Sequence, residues 1–193
     1  KGHETFQETG KRKIFFSDKQ IILDAIKIKN LGKSNNLKMN IIKENSREKK
    51  ISSKILLKQA RINSKEINKG DIFFAIKGKK NDGNKFVSEA FDKKASIAIV
   101  NKINKNNNIK CQIKVGDTLK FLTECSKIYR QNINTKIIAI TGSCGKTTLK
   151  ELLGRSLKKI SKVSISPKSY NNKYGVPLSL FNINQKDQYG VLE

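Results

Sequence analysis

The run Gly142-Ser143-Cys144-Gly145-Lys146-Thr147-Thr148 has the residue types, in the order, that grip a nucleotide phosphate. Glycines let a backbone turn its N–H groups toward phosphate oxygens, and a helix opening at Lys146 adds about half a positive charge at its N-terminus. Lys146 suits the neutralisation of β- and γ-phosphate charge as a point cation, and the Thr147 hydroxyl is placed to ligate Mg²⁺. Thr148 is a weaker candidate. A glycine-rich turn that contains lysine also arises by chance, so the flanks decide. Before the loop, Ile137-Ile138-Ala139-Ile140 is a continuous apolar run, the mark of a strand buried on both faces. After it, Leu149, Leu152, Leu153 and Leu157 share one side of a helix expected over 146–160. The full phosphate-loop pattern Gly-x-x-x-x-Gly-Lys-Ser/Thr wants glycine at position 140, which is Ile140 here. The loop is a shortened form.

These residues need elements to hold them. The next strand is expected over 162–165, and Tyr189-Gly190-Val191-Leu192-Glu193 reads as an apolar strand still in progress. Upstream, element types alternate. A buried strand is expected over 72–76 after the turn Asn68-Lys69-Gly70-Asp71, and a short amphipathic helix over 86–91. Strands over 97–100 and 111–115 flank the low-complexity loop 101–108, and Asp117 caps a helix running to about Gln131. Leu119, Leu122, Cys125, Ile128 and Tyr129 are its expected inward residues. Strand and helix alternation argues an α/β fold. Nearer the N-terminus a helix is expected over 18–27, capped by Ser17 or Asp18, with Ile21, Ile22, Ala25 and Ile26 on one face. The chain then turns polar over 29–50; the first half of that stretch reads as linker, with a new unit opening near 39–51.

Composition narrows the function classes. With 193 residues and 36% of them hydrophobic, the chain has the material for one or two domains with cores. No stretch approaches the roughly 20 apolar residues of a membrane helix, and no signal peptide is visible, so the cytoplasm is the expected compartment. Cys111, Cys125 and Cys144 form no CxxC pair and sit near no histidine cluster, which argues against a zinc site or a disulfide framework. A net charge of +25 invites a nucleic-acid partner. The lysines, however, are spread along the whole chain among Ile and Asn, without a basic stripe or interleaved aromatics. The expectation is therefore no nucleic acid and no membrane, with a positive field that attracts anionic nucleotides.

The segment Thr-Gly-Ser-x-Gly-Lys-Thr-Thr, followed by Lys150-Glu151, resembles the Mur ligases. Downstream, Asn171-Asn172-Lys173-Tyr174-Gly175-Val176-Pro177 is similar to the family's Asn-Asn-x-x-Gly-Val-Pro segment, and 189–193 to its strand ending in a metal-associated Glu. Upstream, Asn63-Ser64-Lys65-Glu66-Ile67, Gly70-Asp71-Ile72-Phe73-Phe74-Ala75-Ile76-Lys77-Gly78 and Asp82-Gly83 follow the order of the family's uridine-nucleotide domain. The resemblance spans about 64–193. Three positions depart from it: Lys65 where Arg is frequent, Asn84 where His is common, and Cys144 where Asn is often found. Separately, Lys1-Gly2-His3-Glu4-x-Phe6-Gln7 and Phe16-Ser17-Asp18 resemble the C-terminal end of the family member that acts one step earlier.

The resemblance implies a division into 1–30, a stub of that earlier ligase; 31–50, linker and start of the next unit; 51–133, a small uridine-nucleotide-binding α/β domain; and 134–193, the start of a parallel-sheet ATPase domain. It implies ATP and Mg²⁺ as cofactors, with Gly142 to Thr148 holding nucleotide, Lys146 and Glu193 catalytic, and Thr147 and Glu193 on the metal. It places Ser64 and Lys65 at the nucleotide end of the substrate, Asn172 on the substrate side and Glu4 at an amino acid of the earlier ligase. The implied reaction is ATP-dependent amide ligation, joining D-alanyl-D-alanine to UDP-N-acetylmuramoyl-tripeptide. Both chain ends read as interior, so the expectation is a fused polypeptide seen in part, monomeric and inactive alone. Folylpolyglutamate and cyanophycin synthetases share the loop but not the segment 64–86. For Asn172 a turn before Gly175 competes with substrate contact, for Ser64 and Lys65 a solvated loop does, and Asp82 reads as a turn residue.

Overall fold

The computed structural model describes residues 6–9, 12–15, 36–46, 52, 55–78, 81–105, 112–167 and 170–193. Strands β1 (Phe6–Thr9) and β2 (Arg12–Phe15) pair antiparallel, with Phe6 opposite Phe15. Glu4 and the helix expected over 18–27 lie outside the described residues. So does Cys111.

Helix α1 (Leu37–Ser46) opens the next unit two residues before the expected start. Asn and Lys are frequent in it, yet Leu37, Met39, Ile41 and Ile42 are fully buried. Four parallel strands follow, β3 (Ala60–Arg61), β4 (Ile72–Phe74), β5 (Ile97–Val100) and β6 (Gln112–Lys114), adjacent in that order. Every residue of β4 and β5 is buried, as a parallel sheet covered on both faces requires. Alternation divides them. Ile72, Phe74, Ile97 and Ile99 join the core that holds α1, while Phe73, Ala98 and Val100 face Val87 and Ala90 of α2 (Val87–Asp92).

Helix α3 (Thr118–Gln131) begins where Asp117 accepts a hydrogen bond from the Lys120 amide at 2.9 Å. Leu122, Cys125 and Tyr129 are inside as expected, but Leu119 and Ile128 are only half-buried, and Phe121 and Ser126 are buried instead. The reason is a second contact surface. The Ser126 hydroxyl lies 2.7 Å from the Pro177 carbonyl, so α3 also packs on α5 (Gly175–Phe181).

A second parallel sheet has the order β7 (Lys136–Ala139), β9 (Tyr189–Leu192), β8 (Val163–Ile165). Two expectations need correction here. The strand leading to the loop, β7, is an edge among the described residues: Lys136 and Ala139 are exposed, Ile137 and Ile138 half-buried. The buried central strand is β9, flanked on both sides. Helix α4 (Lys146–Lys158) starts at the expected residue, but its fully buried positions are Lys150 and Gly154. Of the expected leucines, Leu153 and Leu157 are half-buried beside them and Leu149 and Leu152 are exposed. A Cβ on Gly154 would overlap the Ile165 side chain of β8, so the helix presses on the sheet at its one residue without a side chain. That line of contact turns Leu149 and Leu152 outward, 54% and 59% exposed.

Candidate active site

β7 delivers the chain to the loop, and α4 leaves it. Gly142 and Gly145 take φ of 149° and 73°, values that favour glycine, and Gly145 is the last residue before the helix. The first intrahelical bond runs from the Leu149 amide to the Gly145 carbonyl at 2.9 Å. The N–H groups of that first turn precede any intrahelical acceptor and point along the axis toward the loop mouth, which is where an anion is stabilised. Gly142 to Gly145 and Thr147 and Thr148 are exposed, so the whole loop is open to a ligand. Lys146 arches back over it, Nζ donating to the Ser143 carbonyl at 3.3 Å.

β9 brings Glu193 to the same point. Thr147 Oγ1 donates to Glu193 Oε2 at 2.7 Å, across 46 positions of sequence. Asn171 Nδ2 donates to Oε1 of the same carboxylate at 3.1 Å, and Lys150 Nζ stands 3.8 Å from Oε2. Ser166 Oγ accepts from the Glu193 amide at 3.3 Å. Threonine hydroxyl and carboxylate together are hard oxygen donors of the kind Mg²⁺ takes, so the residues present fit that ion.

Over residues 57–142 the sequence matches the family model described as Mur ligase family, catalytic domain, and over 140–193 the Mur ligase middle domain. Residues 57–193 belong to the Mur ligase family. Among relatives of this Mur ligase chain, the UDP-N-acetylmuramoyl-tripeptide D-alanyl-D-alanine ligase of Rickettsia prowazekii is 34% identical over 143 residues, 74% of this chain and 32% of that protein. The corresponding ligase of Buchnera aphidicola subsp. Baizongia pistaciae is 37% identical over 63% of this chain and 26% of its own length. Two solved structures agree. A MurF ligase of Thermotoga maritima in complex with ADP matches with a TM-score of 0.57 and 34% identity over 72% of this chain and 32% of its own. MurF of Acinetobacter baumannii matches with a TM-score of 0.66 and 31% identity over 79% and 34%. The chain thus spans about a third, or less, of the length of the relatives it matches.

The Mur ligase chain treats its expected substrate residues unequally. Ser64, read as a substrate contact or a solvated loop residue, is 5% exposed and donates to Glu89 Oε2 at 2.8 Å; it fastens the turn 64–66 to α2. Asn172 serves the turn: its Oδ1 accepts from the amides of Tyr174 and Gly175 at 3.0 and 2.9 Å and starts α5. Asp82 is likewise a turn residue, and its hydrogen bonds from Asn84 hold its carboxyl below the usual range. Asn84 Oδ1 accepts from the Asn101 and Lys102 amides. Lys65 is exposed beside a cleft of about 440 Å³ lined by Arg61, Lys65, Glu66, Pro167 and Tyr170, between the first sheet unit and the second. Burial there pushes the Tyr170 phenol up, and Glu66 adds to it. Sequence reasoning passed over Asn171 and Lys150; Asn171 stood inside the recognised segment, and Lys150 adjoined the loop.

Proposed function

We propose that this chain carries the nucleotide-binding part of an ATP-dependent amide ligase of peptidoglycan precursor synthesis, one that joins D-alanyl-D-alanine to UDP-N-acetylmuramoyl-tripeptide in the cytoplasm. The observation that carries this reading is the meeting of Thr147 with Glu193 at the mouth of a glycine-shaped loop, with Lys146 beside it. In the proposed reaction the terminal carboxylate oxygen of the tripeptide attacks the γ-phosphorus of ATP and ADP leaves. The dipeptide amine then attacks the acyl carbon, inorganic phosphate departs and the amine loses a proton.

What this chain's residues do is position and neutralise charge. The loop amides and the first turn of α4 receive the phosphates, and Lys146 swings from the Ser143 carbonyl to the transferred phosphoryl group. Thr147 and Glu193 are the residues that would hold Mg²⁺, which supplies neutralisation of phosphate charge when bound. Lys65, beside the cleft it shares with Arg61 and Tyr170, is our candidate for the anionic nucleotide end of the precursor. Lys65 supplies a point charge there, while the planar guanidinium of Arg61 in the same cleft is paired with Asp71 and Glu66.

Binding of a fluorescent ADP tests the reading. The purified chain should bind it in a Mg²⁺-dependent manner, and Lys146→Ala should weaken binding by about tenfold or more, as loss of a charged hydrogen-bond donor does. Binding insensitive to both Lys146→Ala and chelation of Mg²⁺ would sink it.

A further inference from the structure

We propose that Lys150 is a resident counter-cation for Glu193: in the absence of metal it balances the carboxylate and holds it turned toward Thr147, and it competes with the arriving ion for that charge. The proposal rests on the nucleotide-site reading above and adds a positioning residue to it.

Lys150 is 0% exposed, on the buried face of α4 where an apolar residue would ordinarily pack. Its Nζ lies 3.8 Å from Glu193 Oε2 and 3.6 Å from Glu151 Oε1. Glu193's side chain is 3% exposed and Glu151's 42%, so the carboxylate that shares the lysine's burial is Glu193. A sealed charge is tolerated only when paired, and loss of one partner leaves the other uncompensated. Lys150 and Glu193 therefore depend on each other.

Helix spacing separates the two lysines by job. Lys146, Lys150 and Gly154 recur every four residues and so share one face of α4. Lys146 is at the loop mouth, half-exposed, within reach of a phosphate; Lys150 is one turn below it, closed off from the ligand side. Gly154, another turn down, lets the helix approach Ile165 of β8 closely. Lys150 and the Thr147 hydroxyl address the same carboxylate oxygen, Oε2, while Asn171 takes Oε1. A cation bound at Thr147 and Glu193 meets this second positive charge nearby. Removing Lys150 should consequently destabilise the metal-free protein and tighten the metal.

Thermal unfolding of the purified chain decides the matter, with ADP present throughout and either EDTA or graded Mg²⁺. Lys150→Met should melt well below the unaltered chain in EDTA, the gap should shrink by at least about half at saturating Mg²⁺, and the half-saturating Mg²⁺ concentration should fall about fivefold, the sense of like-charge repulsion relieved. Lys150→Met combined with Glu193→Gln removes both charges. That double variant should melt above Lys150→Met in EDTA and lose the Mg²⁺ response. An equal gap in EDTA and Mg²⁺, with an unchanged half-saturating concentration, makes Lys150 a packing residue and overturns the inference alone. Failure of the double variant to fold any better than Lys150→Met also overturns it. Absence of any Mg²⁺–ADP response in the unaltered chain overturns the nucleotide-site reading, and this inference with it.

Discussion

Glu193 Oε2 takes the Thr147 hydroxyl and faces the Lys150 ammonium, and Oε1 takes the Asn171 amide; a carboxylate fixed from three directions loses little further freedom when it turns to a ligand. The loop beside it offers a direct chemical test. Cys144 is exposed, whereas Cys125 is buried and burial pushes its thiol up to about 12. A thiol-alkylating reagent at neutral pH should therefore modify Cys144 at least about tenfold faster than Cys125, which exposes neither surface nor thiolate. Mg²⁺–ADP should slow that labelling, read by peptide mass spectrometry, because phosphates seated on the loop amides close access to the sulfur. Indifference to nucleotide would count against phosphate binding at 142–148. The loop was readable in sequence because its chemistry is local: seven consecutive residues between a strand and a helix. Asn171 and Asn172 were not separable in that way. Which of two adjacent asparagines meets Glu193 depends on the turn, and Asn172, by capping the amides of Tyr174 and Gly175, leaves its neighbour for the carboxylate.

The elements that carry these residues were legible in kind and order, and their orientation was not. Leucine spacing was only half right about the inward face of α4, with Leu153 and Leu157 half-buried and Leu149 and Leu152 exposed, because the pattern registers apolar side chains and is blind to the residue without one. Gly154 sets the contact, and that yields a prediction opposite in sign to helix propensity. In an isolated helix Gly→Ala stabilises by about 1 kcal/mol. Here a Cβ at 154 overlaps Ile165, so Gly154→Ala should destabilise by about 1–3 kcal/mol, the usual cost of overpacking. Adding Ile165→Val removes a methylene from the clash and should recover part of the loss, measured by urea denaturation. A stabilising Gly154→Ala would mean that α4 does not rest on β8 as described. β7 shows the same limit of local reading. Its apolar run gave the strand, but burial on both faces depends on neighbours, and among the described residues its outer flank has no strand beside it.

At the scale of the molecule the two sheet units, separable in sequence near residue 134, share one core. Tyr129 of α3 and Phe74 of β4 both meet the ring of Phe181 edge-on, at 5.3 and 6.2 Å. The Asn182 side chain pairs with both backbone groups of Ala60, accepting from its amide at 2.6 Å and donating to its carbonyl at 2.9 Å, which closes the edge of β3. Lys38 of α1 sits at this junction. Its Nζ lies 5.8 and 5.5 Å from the Tyr129 and Phe181 ring centres and donates to the Lys58 carbonyl at 2.6 Å. Burial lowers its pKa from 10.5 to about 8, with Asp71 pulling the other way. The sign follows from proton binding. Below about pH 8 the folded chain holds this lysine charged against its burial, a penalty the unfolded chain does not carry. Between about 8 and 10.5 the folded state has released a proton that the unfolded state retains, so the Lys38 contribution to stability rises with pH across that window and the penalty is gone above it. Lys38→Met keeps an unbranched apolar stem over the two rings and removes the titration. It should raise the urea midpoint at pH 7, and the gain over the unaltered chain should shrink as pH climbs from 8 to 10.5. Taking the difference between the two proteins cancels the titrations of Cys125 and Tyr129, both shifted upward by burial and common to both chains. A difference constant across that window would show that the Lys38 ammonium remains as well solvated in the folded chain as in the unfolded one, and that the junction between the units stays open to water.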